Sequence, residues 1–135
     1  MSLEENRNLV RRIYELWNQI EFSAYKELVS PDCVFHRATG DFSREQVIQN
    51  APNFVAAFQD ASCTIDDIIA QEDLVAFREN MKGTHRGEFQ GFAPTGKQFN
   101  ISNASIWKIV DGKLAESWYV FDVSSAMQQL GIVPS

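Results

Sequence analysis

The sequence predicts an α+β domain, with helices first and a strongly paired, mainly antiparallel sheet after them. Three observations predict it. Up to Phe58 the apolar residues recur at helical spacing. From Ser62 onward the period changes to two, the alternation of a half-buried strand. Between the last two alternating runs stands Asp111-Gly112, a tight-hairpin dipeptide, because the primed turn needs positive φ and glycine adopts it without strain.

The elements follow in order. Ser2-Leu3-Glu4-Glu5 reads as a capping box. It opens a helix whose apolar face is Leu9, Ile13, Leu16, Trp17 and Ile20. Ser23 is placed as the cap of a short second helix carrying Tyr25, Leu28 and Val29, which Ser30-Pro31-Asp32 stops. Cys33 to His36 forms a short strand. Ser43-Arg44-Glu45-Gln46 is a second capping box, followed by Val47, Ala51, Phe54 and Phe58 at helical spacing. Pro52 inside that run predicts a kink or two abutting helices. Strands are expected over Cys63 to Ile69, Leu74 to about Arg86, Lys97 to Val110 and Lys113 to Asp122. Ser124 is expected to cap a terminal helix that Gly131 ends. A curved sheet closed by helices encloses a cone, whose mouth is a natural small-molecule site.

A chain of 135 residues is one domain, 1–135, large enough to bury a core. Its net charge of -6 argues against nucleic acid and anionic membrane as partners, since both require clustered Lys and Arg. No long apolar run or signal-peptide pattern is present, so the expectation is a soluble, cytoplasmic protein. Ten Phe, three Trp and three Tyr suit a large apolar interior or a lined pocket. Cys33 and Cys63 lie far apart in apolar runs, which favours free buried thiols over a disulfide, and no zinc spacing is present.

Several residues are candidates for chemistry. In the last strand Glu116, Trp118, Val120 and Asp122 share a face. If that face looks into a closed cavity, Asp122 is a carboxylate in poor solvent, with a raised pKa suited to a general base, and Trp118 is its wall. The competing role for Asp122 is a cap where the strand becomes the tail helix. His85 and His36 are the two histidines. His85 is read either as a donor to substrate or as a hydrogen-bonder pinning the glycine loop after it, and His36 as solvent-exposed or ligand-binding. Arg78, inside an apolar run, needs an internal Glu or a ligand carboxylate. Tyr14, Trp17, Phe54 and Phe58 either line the cavity or form plain core. Asn103, Ser105 and Trp107 point one way, and touch substrate if that way is inward.

Gly83-Thr84-His85-Arg86-Gly87-Glu88-Phe89, Gly91-Phe92-Ala93-Pro94-Thr95-Gly96-Lys97, Asp111-Gly112-Lys113, Glu116-Ser117-Trp118, Asp122 and Gln129-Leu130-Gly131 together resemble the SnoaL-like polyketide cyclases, or ester cyclases, of the nuclear transport factor two superfamily. The ordered matches run from roughly Asp60 to Pro134. The resemblance implies a cone-shaped barrel and an enzyme without cofactor or metal. It implies intramolecular aldol closure of a polyketide-like ester, with the catalytic aspartate at Asp122; His85, inside the motif, is read as an auxiliary donor beside it. It also implies a homodimer or homotetramer paired through the open face of the sheet. One departure stands out: the family's cyclases carry a histidine on the penultimate strand, and Lys97 to Val110 has none. That feature favours another cofactor-independent lyase, isomerase or hydrolase reaction in the same cavity. A non-catalytic small-molecule-binding module is the alternative of a different class.

Overall fold

The computed structural model describes residues 2–132; Val133 and Pro134, the end of the stretch that carries the resemblance, lie outside them. Helix α1 (Leu3–Asn18) opens with the expected capping box, Ser2 Oγ accepting the Glu5 N–H and the Glu5 carboxylate accepting the Ser2 N–H. Its buried face is Val10, Ile13 and Leu16, while Ile20 falls beyond the helix and is exposed. Helix α2 (Phe22–Glu27) starts at Glu21 with no side-chain cap, so Ser23 does not play that part. Strand β1 (Val29–Arg37) begins where the second helix was expected to continue. Pro31 fits inside it because pairing with the last strand is irregular between Val29 and Val34, where a missing N–H costs no ladder bond. A short strand β2 (Gly40–Ser43) folds back on β1. Helix α3 (Arg44–Ala57) starts from the Ser43–Gln46 capping box and runs through Pro52 as one helix, not two.

Strands β3 (Ser62–Gln71), β4 (Leu74–Thr84), β5 (Gln98–Val110) and β6 (Lys113–Val120) complete a sheet ordered β2-β1-β6-β5-β4-β3. The β5–β6 turn has φ of 51° at Asp111 and 74° at Gly112, the positive pair that a primed hairpin requires. β1 pairs with β6 in parallel, and the remaining named pairs are antiparallel. The sheet is curved but not closed, with β2 and β3 as its edges. Helix α4 (Val123–Gln129) lies against β5 and ends at Gly131, φ 76°, with Ile132 N–H donating to Met127 O and Gly131 N–H to Gln128 O. No helix among the described residues is long and apolar enough to cross a membrane.

Alternation along β5 is complete: Phe99, Ile101, Asn103, Ser105, Trp107 and Ile109 are buried and the residues between them are not. In β4 Val75, Phe77, Glu79 and Met81 share the inner face. Two apolar clusters fill the concavity. One joins Val10, Ile13 and Leu16 to Phe77, Trp107 and Leu114; the other joins Phe58, Met81, Phe99 and Ile101 to Ala126 and Leu130. Each large side chain so buried contributes about 1.5–3 kcal/mol. Both cysteines are free and buried in these clusters.

The glycine motif after β4 also has a packing cause. Arg86 and Gly87 both donate backbone N–H to Ala57 O, capping the end of α3. A Cβ on Gly87 would sit 2.3 Å from Ala56 O, so only glycine allows the approach.

Candidate functional site

The register of the sheet lines up a belt of polar side chains across its inner face. Glu79 of β4 faces Asn103 of β5, and Ser105 of β5 faces Tyr119 of β6. Glu79 is fully buried. Its Oε1 accepts the Tyr119 hydroxyl at 2.5 Å and Asn103 Nδ2 at 3.2 Å. Among the described residues Oε2 has no partner, and neither has the buried Ser105 hydroxyl. Tyr14 of α1 packs on the same inner face, its ring stacked on Trp107 at 5.5 Å and edge-on to Phe77 at 5.4 Å. Burial, then the neighbouring Glu79, pushes both tyrosine hydroxyls well above their ordinary range, so both remain protonated donors. Tyr14 and Tyr119 are each half-buried, which leaves Glu79 one side chain below the surface.

Next to this belt is an aromatic void of about 10 Å³, lined by Phe54, Phe58, Phe89, Phe99, Phe121 and residues of α4. Tyr119 joins belt and void through its ring contact with Phe121 at 6.0 Å. A void of that size holds about one water molecule.

Asp122 occupies the junction of β6 and α4. Its side chain caps α4, Oδ1 accepting the Ser125 N–H at 3.1 Å, and its backbone N–H donates to Asn103 Oδ1 at 2.9 Å. The side chain is exposed, and the Ser125 bond lowers its pKa below the ordinary carboxylate value. The expectation of a desolvated carboxylate with a raised pKa is therefore corrected: water and a helix N-terminus both favour its charged form. Asp122, not Ser124, is the cap.

Trp118 is corrected too. It lies on the outer face, 40% exposed, because a register shift near Lys108/Ile109 turns Leu114, Ser117 and Tyr119 inward and Glu116, Trp118 and Val120 outward. His36 stacks on Trp118 at 5.4 Å on that outer face. Its Nδ1 is 2.8 Å from Asp41 Oδ1 and its Nε2 2.6 Å from Glu116 Oε2. Those two bonds raise its pKa, and the ring is away from the interior. Arg78 is likewise outside. It pairs with Asp67 of the neighbouring strand at 2.7 Å, so neither an internal Glu nor a ligand is its partner.

His85 is buried with its ring against Phe58. Thr95 N–H donates to Nδ1, while the His85 backbone bonds Lys97 O and Gly96 N. These bonds pin the loop, and Nε2 has no partner among the described residues. Phe54 and Phe58 line the aromatic void. Trp17 packs on Phe22 and Tyr25 at the other side of α1, away from the belt. Asn103, Ser105 and Trp107 do face inward.

Glu79 and Tyr119 are functional positions beyond the sequence candidates, although the sequence carries a signal for Glu79. It stands two residues from both Phe77 and Met81, so alternation puts it on the apolar face.

The family model described as SnoaL-like polyketide cyclase matches residues 7–130, and the chain belongs to that family. Among solved structures, AclR of Streptomyces galilaeus, a candidate hydroxylase, is 30% identical over 98% of this chain and 100% of its own, with a TM-score of 0.89. IdmH of Streptomyces antibioticus, a candidate polyketide cyclase, is 30% identical over 93% of this chain and 98% of its own, with a TM-score of 0.85. A candidate SnoaL-like polyketide cyclase from Jannaschia, 18% identical over 97% of this chain and 94% of its own with a TM-score of 0.86, shares the fold. No curated protein matches the chain.

Proposed function

We propose that this chain is a cofactor-independent enzyme of cyclase type, closing a ring in an apolar carbonyl substrate by proton abstraction. The observation that carries the proposal is the fully buried Glu79 carboxyl, one oxygen held by Tyr119 and Asn103 and the other unshared. An aldol closure needs a fixed base in an apolar setting and donors for the enolate oxygen. Glu79 Oε2 takes the proton from the carbon beside a carbonyl, and the C–H electron pair passes into the enolate. The enolate carbon then bonds to a second carbonyl carbon of the same molecule. The oxygen of that carbonyl recovers the proton from Glu79, so the step conserves mass and charge. The Ser105 and Tyr14 hydroxyls are the donors in reach of an enolate oxygen seated on the belt. The aromatic residues beneath α4 receive the substrate body.

Asp122 is the competing position for the base, because the family resemblance points to it. In the present reading it serves as the hinge of α4, with His85 as an anchor for the facing loop. Self-association is carried by the outer face, where Ile106, Trp118 and Val120 stand exposed side by side. Replacing Trp118 with Asp is then expected to reduce the sedimenting mass to that of a monomer.

AclR favours a second reading, in which the same carbanion is hydroxylated by dioxygen, one oxygen atom entering the product and the other leaving as water with two electrons and two protons from an external reductant. One assay separates them. A thermal-shift screen of β-keto esters and polyketide-like aromatic esters supplies ligands, and mass spectrometry follows each hit. Ring closure conserves the substrate mass or loses water, whereas hydroxylation adds an oxygen atom. Hits that bind yet are never converted would leave the chain a binding module.

A further inference from the structure

Arg37 is the last residue of β1 and lies on the same side of that strand as Cys33 and Phe35, the side that faces the cone. Its guanidinium rests among three aromatic rings, 6.0 Å from the centre of Phe35, 5.5 Å from Phe42 and 5.9 Å from Tyr119. It takes part in none of the ion pairs among the described residues. His36, the preceding residue, points to the opposite face and binds both Asp41 and Glu116 there. On a chain of net charge -6, a guanidinium on the inner side of β1 that joins none of the ion pairs among the described residues and rests on three rings is free to take an outside anion.

Tyr119 links it to Glu79. One side chain touches both ends of the arrangement: its ring meets Arg37, and its hydroxyl donates to Glu79 at 2.5 Å. Glu79 in turn presents an unpartnered, fully buried oxygen. The concave face therefore offers a planar cation and a hydrogen-bond acceptor separated by about one tyrosine side chain, with aromatic walls between. A guanidinium stacked on rings keeps its N–H edge free, and that edge matches a carboxylate in two parallel bonds.

We propose that Arg37 is an anion subsite and that the substrate is a free carboxylic acid on a flat apolar body, not a neutral ester. The carboxylate binds the Arg37 edge and the body lies over Tyr119, so the reacting end reaches Glu79. This rests on the concave face being the substrate site, but its test requires no turnover.

The test is calorimetric titration of the full chain with 2-naphthoate, methyl 2-naphthoate and 2-naphthyl phosphate. Wild type, Arg37→Gln, Arg37→Lys and Glu79→Gln are compared. The expected result is that the acid binds wild type at least about tenfold tighter than its methyl ester, with the gap narrowing as salt rises. Arg37→Gln abolishes that preference, and Arg37→Lys retains part of it, because an ammonium keeps the charge and loses the fork. Glu79→Gln leaves the preference intact, which separates this subsite from the proposed base. Acid and ester binding alike, neither binding, or a preference that survives in Arg37→Gln would each overturn the proposal. Arg37-dependent binding of the phosphate tighter than the acid would overturn the carboxylate assignment. Arg37 is exposed and unpaired, so its variants are expected to fold, and near-UV circular dichroism verifies this.

Discussion

Tyr119 donates its hydroxyl to Glu79 across 2.5 Å, and it does so from a strand two positions away in the sheet. The bond fixes which oxygen of the carboxyl is occupied and so which is free. Tyr119→Phe removes one of the two donors to Oε1 and leaves Asn103 as the other. The expected cost is about 1 kcal/mol of stability, the net worth of one buried hydrogen bond. If Glu79 is the base, turnover falls by more than that stability change accounts for, because the carboxyl is free to rotate. Urea unfolding and steady-state kinetics on one preparation check both parts.

Asn103 ties the belt to the hinge of α4, its amide donating to Glu79 and its carbonyl accepting the Asp122 N–H. Replacing it with Leu leaves Glu79 Oε1 with the Tyr119 hydroxyl alone and removes the acceptor of the Asp122 N–H. A loss of about 1–3 kcal/mol is expected, from two hydrogen bonds at about 0.5–1.5 kcal/mol each. Hydrogen exchange at the α4 amides is expected to quicken in the variant, and unchanged exchange would mean the Asn103 link does not hold the helix.

Gly87→Ala tests the packing account of the glycine motif. The added methyl meets the Ala56 carbonyl at 2.3 Å, and backbone has to move to admit it. The expected destabilisation is about 1–3 kcal/mol, as for overpacking elsewhere. It should be seen as a lower urea midpoint with an unchanged m-value.

His36 makes stability depend on pH. Its pKa in the folded chain is raised, first by the Glu116 bond and then by the Asp41 bond. A raised pKa means that the folded state holds the proton more tightly than the unfolded chain. The stabilisation is therefore complete below the ordinary histidine pKa of about 6.5 and is lost as pH rises through the folded value. The difference in Tm between wild type and His36→Gln is expected to be larger at about pH 6 than at about pH 9. A constant difference across that range would remove the imidazolium from the account.

Much of the fold is legible in the sequence because its signals are local. Both capping boxes, the Asp111-Gly112 hairpin and the alternation of β5 are each set within a few residues. What is not legible is non-local. β2 has four residues at a sheet edge and no apolar run to announce it. The helix-versus-strand choice at Val29 is settled by parallel pairing with β6, some eighty residues away. The same pattern governs the site. Alternation puts Glu116, Trp118 and Val120 together, but the register shift in β6 decides that they face outward. Asp122 lies just past the strand, so strand parity does not apply to it, and it takes the cap role instead. Glu79 is legible by period two from Phe77 and Met81, but adjacent charges at Arg78 and Glu79 leave the inward one undecided until the register of β4 is known.

The central claim is that Glu79, not Asp122, takes the proton. The direct measurement is turnover of one cyclisable β-keto ester or acid by wild type, Glu79→Gln and Asp122→Asn, with Tm recorded for each. Asn still caps a helix and Gln keeps the shape of Glu, so both variants are expected to fold. Loss of a general base costs about 10²–10⁴ in rate, and that loss is expected in Glu79→Gln, with Asp122→Asn within about tenfold of wild type. Wild-type rates from Glu79→Gln together with collapse in Asp122→Asn would contradict the claim and return the base to the end of β6.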